Sequence, residues 1–204
     1  MYDLSYINAF KSQISAHQGR DAQVRAALEQ LKSFEPYTAA HSQRVGLIAG
    51  AIARELGLSE VDIELMTASG KLHDIGKSEV SLDYLQKPSA LSPSEYLEMQ
   101  RHPELGAQLV RECPELLELI PGILYHHERV DGAGYPFGLR GEEIPLIARV
   151  IAVADTYDAM TSDRAYRAAL SHQRALDELR LHAGKQFDAH IVEAALRALT
   201  AQRY

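Results

Sequence analysis

The sequence predicts an all-α fold, and three observations carry that expectation. Apolar residues recur at three- and four-residue steps through most of the chain, which builds one buried face per helical segment. Helix start and stop signals punctuate those segments at short intervals. No alternating apolar–polar run offers a strand with a partner to pair with.

The elements follow in chain order. Residues 1–32 read as a short N-terminal helical segment, too few for an independent sensory domain, and 33–204 as the main body. Val45, Ile48, Ala49, Ile52, Ala53 and Leu56 form one apolar face, which Gly57 ends as a C-terminal cap. Ser59 begins a helix through Ile63, Leu65, Met66 and Leu72. Ser92-Pro93-Ser94-Glu95 is a start signal with Ser at the N-cap, Pro at the first helical position and Glu closing a capping box. His102-Pro103 interrupts that helix, and 104–112 resumes it. Residues 114–128 read as one further helix. Residues 129–145 then hold Gly132, Gly134, Pro136, Gly138, Gly141 and Pro145, a long loop of the kind that usually carries function. The run from Ile147 to Asp155 fits a buried strand or a helix, and helix is favoured because Pro145 suits a first turn and no partner strand exists. Helices are expected at 146–160, at 172–183 between Ser171 and Gly184, and at 189–200 under an Asp188 cap.

Composition bounds the function. At 204 residues, with 46% hydrophobic and 24% charged, the chain is an ordinary soluble globular domain. Lys and Arg number 21 against 28 Asp and Glu, a net charge of −7, which argues against a sequence-independent grip on duplex nucleic acid. A small phosphate ligand held by a few local cations is compatible with that balance. Cys113 stands alone, so an internal disulfide and thiolate-rich metal sites are excluded. No apolar run approaches the ~20 residues of a membrane span. The first residues lack the basic end and apolar stretch of a secretory signal. The expectation is a cytoplasmic protein without membrane association.

The nine histidines are the compositional oddity. His41, the His73-Asp74 pair, His102, the His126-His127 pair and, further on, Asp155 offer imidazole and carboxylate ligands suited to first-row divalent metals. These seven groups exceed the needs of one ordinary site, whereas two ions roughly 3.5–4 Å apart would use them. Asp74 is the natural bridge, since His73 beside it can bind one ion while the carboxylate spans both. Taken singly, His102 before Pro103 reads as a helix-end residue, and Asp155 as a cap or ion-pair partner. His17, His172, His182 and His190 read as surface or helix-face residues. The coincidence of His-Asp and His-His adjacencies with a Gly-rich loop points to a metal centre.

Those residues also resemble a family. Leu72-His73-Asp74-Ile75-Gly76-Lys77 is similar to the signature of HD metal-dependent phosphohydrolases. His126-His127-Glu128-Arg129-Val130-Asp131-Gly132-Ala133-Gly134-Tyr135-Pro136 resembles the hallmark of the HD-GYP subfamily. Residues 36–42, Lys87-Pro88, 102–106, 153–160 and Arg164-Ala165-Tyr166-Arg167 fall in that family's order and spacing, so the resemblance covers about residues 33–200. It implies an HD-domain-like helical bundle with a Gly-rich GYP loop. The implied activity is a phosphodiesterase that hydrolyses cyclic di-GMP to linear pGpG, with GMP as the product of any second cleavage, by a hydroxide bridging two ions.

Carried over residue by residue, His41, His73, Asp74 and Asp155 would hold one divalent ion, and Asp74, His102, His126 and His127 the other. Iron or manganese suits such thiolate-free ligands. Some family members place a Glu four residues before the first His and use it for a third ion. Tyr37 stands there in this chain, and a phenol with a pKa of about 10 is a poor substitute. Glu35 lies six residues from His41, on another helix face. Two ions are therefore expected. Asp74 and Lys77 are the catalytic candidates. Lys77, Arg164, Arg167 and Tyr135 are the candidate substrate contacts, together with Asp158, which would orient one of the two arginines. Arg129 and Asp131 can pair within the loop. The GYP loop is a candidate contact for a regulatory partner, and a homodimer is a candidate assembly. Two alternatives stay open: hydrolysis of another cyclic dinucleotide or nucleotide, and a slow or non-catalytic cyclic-dinucleotide sensor.

Overall fold

In the computed structural model, which describes residues 18–163 and 168–201, helices account for every regular element, and no strand occurs among the described residues. The first is α1, Arg20–Phe34, followed by α2, Pro36–Glu55, and α3, Glu60–Leu72. A 3-10 turn over Ile75–Glu79 leads to the short α4, Leu82–Leu85, then α5, Pro93–Met99, and α6, His102–Val110. A second 3-10 segment, Pro114–Leu119, runs into α7, Ile120–Tyr125. After the Gly-rich loop come α8, Leu146–Thr161, α9, His172–His182, and α10, Ala189–Ala201.

The start and stop signals do what their chemistry predicts. Ser59 accepts from the Asp62 amide, and Ser92 with Glu95 forms a complete capping box. Ser171 accepts from the Arg174 amide, and Gly57 takes a φ of 72° just past α2. The run from Ile147 to Asp155 is helical, inside α8.

The stretch 114–128 differs from the single helix expected there. It is 3-10 up to Leu119, α-helical only over Ile120–Tyr125, and already a turn at His126-His127. Pro121 explains the break. It has no N–H to give to the preceding turn, and in an α-helix its ring would press on the carbonyl four residues back. The early end at Tyr125 has a consequence: the two histidines sit where a helix stops, with their backbones free to turn.

Two apolar clusters hold the bundle. In one, Ile48 and Ile52 of α2 meet Val150, Ile151 and Val153 of α8, Leu176 and Leu179 of α9, and Val192 and Leu199 of α10. In the other, Val24, Ala27 and Leu31 of α1 pack with Leu72, Ile75, Leu109, Leu116 and Ile123. Fully burying one such Leu or Ile contributes about 1.5–3 kcal/mol. Residues α1 contributes are thus part of the same core as the chain beyond residue 33. The ends of α3, α6 and α7 and the middle of α2 and α8 meet where the clusters adjoin, and the ligand-type side chains lie there.

Candidate metal centre

Three histidines are aimed by one device. His73 caps the C-terminus of α3, His126 caps that of α7, and His102 follows the end of α5. Each places its Nδ1 on the carbonyl three residues back: His73 on Gly70 at 2.7 Å, His102 on Met99 at 2.7 Å and His126 on Ile123 at 2.8 Å. A carbonyl only accepts, so each Nδ1 carries the proton and donates it. The Nε2 lone pair of each ring is then free and directed to a common centre, as a metal-ligating histidine requires.

Asp74 is that centre. Its Oδ2 lies 3.3 Å from His73 Nε2 and 3.7 Å from His41 Nε2, while its Oδ1 lies 3.3 Å from His102 Nε2 and 4.0 Å from His126 Nε2. His41 Nε2 is 3.0 Å from Asp155 Oδ1, and His73 Nε2 is 3.9 Å from the same oxygen. The seven residues sort into two groups that can each hold a metal ion: Asp74, His102, His126 and His127, and His41, His73 and Asp155. Within each group the ligand atoms lie within 4.8 Å of one another. His73 Nε2 and Asp74 Oδ1 are sealed from solvent and have no hydrogen-bond partner among the described residues. Leaving two such atoms unpaired is costly, and a cation between the groups would satisfy both. The donor set therefore fits divalent ions.

The electrostatics suit cation binding. Burial would raise the Asp74 carboxyl, but the His73 ring, the Lys77 ammonium and His102 outweigh it and hold Asp74 well below the usual carboxylate range. Asp155 is likewise held low, with His41 overcoming burial. Burial and the neighbouring imidazoles push His126 down, and His127 to about 3, so both rings are neutral. His41 goes the other way. Burial disfavours its charge, yet Asp155 and Asp158 on either side raise it to about 9.

In the metal-free chain His41 is therefore expected to stay protonated well above neutrality. Its folded value exceeds the unfolded 6.5, so its contribution to stability is complete below that value and is lost as pH rises through about 9. Imidazole resonances followed by NMR against pH check this. A His41 midpoint near the ordinary 6.5 would contradict it.

Lys77 sets its Nζ 2.6 Å from Asp74 Oδ2. Tyr135 stacks on His127 with ring centroids 4.7 Å apart, and burial pushes its phenol up, so it is neutral. Both rings line a cavity of about 260 Å³, which also takes in Tyr96, Gln100, Asp155 and Thr156. Tyr37 is half exposed, and Glu35 is the N-cap of α2, its carboxylate accepting from the Thr38 amide at 2.5 Å. Arg129 and Asp131 pair within the loop at 2.6 Å and 3.0 Å. Arg164 and Arg167 lie outside the described residues. Asp158, expected to orient Arg164 or Arg167, is buried, with its carboxylate taken up by His41 and Arg44. The arginine it holds is on α2.

Sequence reasoning gave Glu128 no role. Its buried carboxylate accepts from three loop amides, Phe137 at 2.7 Å, Gly138 at 3.2 Å and Leu139 at 3.0 Å. That staple folds the loop back over the end of α7. Gly134 permits the closeness, because a Cβ there would fall 2.4 Å from the Arg129 nitrogen and 2.5 Å from the Glu128 Cα. Glu128→Ala would strand three donors and is expected to cost about 2–3 kcal/mol. Urea denaturation measures it, with an unchanged midpoint as the contrary result.

A helical bundle that gathers His73-Asp74 and five further ligand groups in this way is the architecture of the HD domain. A family model described as the HD domain matches residues 26–191, and the chain belongs to that family. Over 198 residues it is 37% identical to the cyclic di-GMP phosphodiesterase PA4108 of Pseudomonas aeruginosa, across 97% of this chain and 48% of that protein. Over 162 residues it is 41% identical to the cyclic di-GMP phosphodiesterase response regulator RpfG of Xanthomonas campestris pv. campestris, across 78% and 43%. It is 37% identical over 164 residues to the 3'3'-cGAMP-specific phosphodiesterase 3 of Vibrio cholerae, across 80% and 36%. The chain thus spans less than half the length of these curated relatives. Among solved structures it is similar to Bd1817, an HDG"Y"P protein from Bdellovibrio bacteriovorus, with a TM-score of 0.66 and 21% identity over 89% of this chain and 62% of that one. That likeness shows the fold. No helix among the described residues is long and apolar enough to cross a membrane.

Proposed function

We propose that this chain is a metal-dependent phosphodiesterase that opens cyclic di-GMP to linear pGpG in the cytoplasm. The observation that carries the reading is the position of Asp74, with one carboxylate oxygen beside His73 and His41 and the other beside His102 and His126, and two sealed atoms there that lack a hydrogen-bond partner. His41, His73, Asp74 and Asp155 would hold one divalent ion, and Asp74, His102, His126 and His127 the other, with iron or manganese suited to the set. Such a pair supplies Lewis acidity toward a phosphodiester and makes water a better nucleophile.

The chain's own residues supply the rest. Gly70, Met99 and Ile123 fix three imidazoles through their carbonyls, so little reorganisation is left for the reaction. Lys77, beside the shared carboxylate, offsets charge growing on the non-bridging phosphate oxygens and can return a proton to the leaving oxygen. Tyr135, stacked on His127 at the cavity wall, offers a face for a guanine. Arg164 and Arg167 complete the phosphate contacts in this reading. Phe137, exposed on the GYP loop, is where a regulatory partner would meet it.

The test is purified protein loaded anaerobically with Fe(II) or Mn(II), incubated with cyclic di-GMP, with products resolved by chromatography. pGpG is the expected product, and no turnover would overturn the enzymatic reading. Relatives named as 3'3'-cGAMP-specific phosphodiesterases, at 35–37% identity, support a second reading in which another cyclic dinucleotide is preferred. Cyclic di-GMP and 3'3'-cGAMP compared in the same assay decide between the two.

A further inference from the structure

His41 cannot be aimed as His73, His102 and His126 are. His73 and His126 cap helix C-termini, and His102 follows one, where carbonyls lack intrahelical partners. His41 lies well inside α2, where the carbonyl three residues back already belongs to the helix's own hydrogen-bond ladder. The structure supplies a side chain instead. His41 Nδ1 donates to Asp158 Oδ2 at 2.7 Å, and Asp158 is only 3% exposed. Arg44 then grips Asp158 from both sides, Nε to Oδ1 at 2.7 Å and Nη2 to Oδ2 at 2.9 Å, and also reaches Ser162 Oγ at 3.1 Å. A fork against a carboxylate fixes the plane of the acid as well as its charge.

The register makes this a built arrangement. Arg44 follows His41 by three residues on α2, and Asp158 follows Asp155 by three on α8. Both pairs therefore share a helix face, and the helices present them to each other. The first member of each pair faces the metal groups, with His41 Nε2 3.0 Å from Asp155 Oδ1. The second members close behind them.

We infer that Asp158, held by Arg44, is a positioning residue for the His41 half of the metal centre. It keeps the proton on Nδ1, turns Nε2 toward the metal groups, and places a carboxylate acceptor behind the ring that strengthens it as a ligand. The inference rests on the two-ion reading above, and it assigns Asp158 to the metal side of the site rather than to a substrate.

The experiment is calorimetric titration of metal-free protein with Mn(II), on wild type, Asp158→Ala, Asp158→Asn, Arg44→Gln and His41→Ala. His41→Ala marks which binding event belongs to that half. Asp158→Ala is expected to weaken the same event about 10–100-fold and leave the other in place. Asp158→Asn retains an acceptor for Nδ1 and is expected to recover part of the loss. Arg44→Gln, at the half-exposed end of the chain of contacts, is read in the same way if Asp158→Ala does not fold, with a smaller weakening expected. Wild-type affinity in both Asp158→Ala and Arg44→Gln overturns the inference alone. A wild type that takes up no metal overturns the two-ion reading and this inference with it.

Discussion

Asp74→Ala is expected to empty both halves of the candidate metal centre at once and to take the proposed turnover below detection. No other ligand substitution is expected to do both. Among the described residues, Asp74 is the one with an oxygen facing each group, Oδ2 toward His73 and His41 and Oδ1 toward His102 and His126. Removing it leaves each half with imidazoles and, on one side, Asp155, and it removes the charge that offsets two divalent cations in a buried place. His127→Ala should by contrast spare the half built from His41, His73 and Asp155. Elemental analysis of both variants, with the cyclic di-GMP assay alongside, reads the difference. Residual turnover in Asp74→Ala, or two bound equivalents, would remove Asp74 from the shared position.

Gly76→Ala, a change of one methyl group, is expected to cost about 3 kcal/mol and to disable the His102 half first. The 3-10 turn after Asp74 crosses the start of α6 with nothing between the backbones. A Cβ on residue 76 would fall 2.0 Å from the His102 carbonyl oxygen, 2.4 Å from the Gly106 nitrogen and 2.9 Å from the Gly106 Cα. All three are backbone atoms, so no side chain can swing aside, and α6 must move as a unit. His102 is the first residue of α6, and its Nε2 stands 3.3 Å from Asp74 Oδ1. Chemical denaturation gives the stability change and metal titration the functional one. A variant with wild-type stability and two wild-type binding events would show that the crossing is looser than the structure has it.

The parts of this molecule that were legible in the sequence are those set by local chemistry. Capping residues marked where helices begin, as Ser59, Ser92 and Ser171 do. Unusual adjacencies, His73-Asp74 and His126-His127, named ligand candidates that the fold does bring together with His41, His102 and Asp155. The helix expected over 114–128 failed because a second proline in its middle competes with apolar periodicity, and periodicity does not register the missing N–H. The contact of Asp158 with His41 was hidden for a different reason. Its partner His41 is 117 residues away, and only the docking of α2 on α8 joins them. The signal that could have found it is the matched three-residue spacing of His41 with Arg44 and of Asp155 with Asp158. Glu128 escaped notice because its work is done on backbone amides, which carry no side-chain signature in the sequence.

Anomalous diffraction from crystals of the Mn(II)-loaded chain, measured near the manganese edge, addresses the paired-ion reading without passing through activity. Two peaks are predicted, one in contact with His41, His73 and Asp155, the other with His102, His126 and His127, and an oxygen of Asp74 on each. A single peak, or peaks that leave Asp74 outside contact, would contradict it.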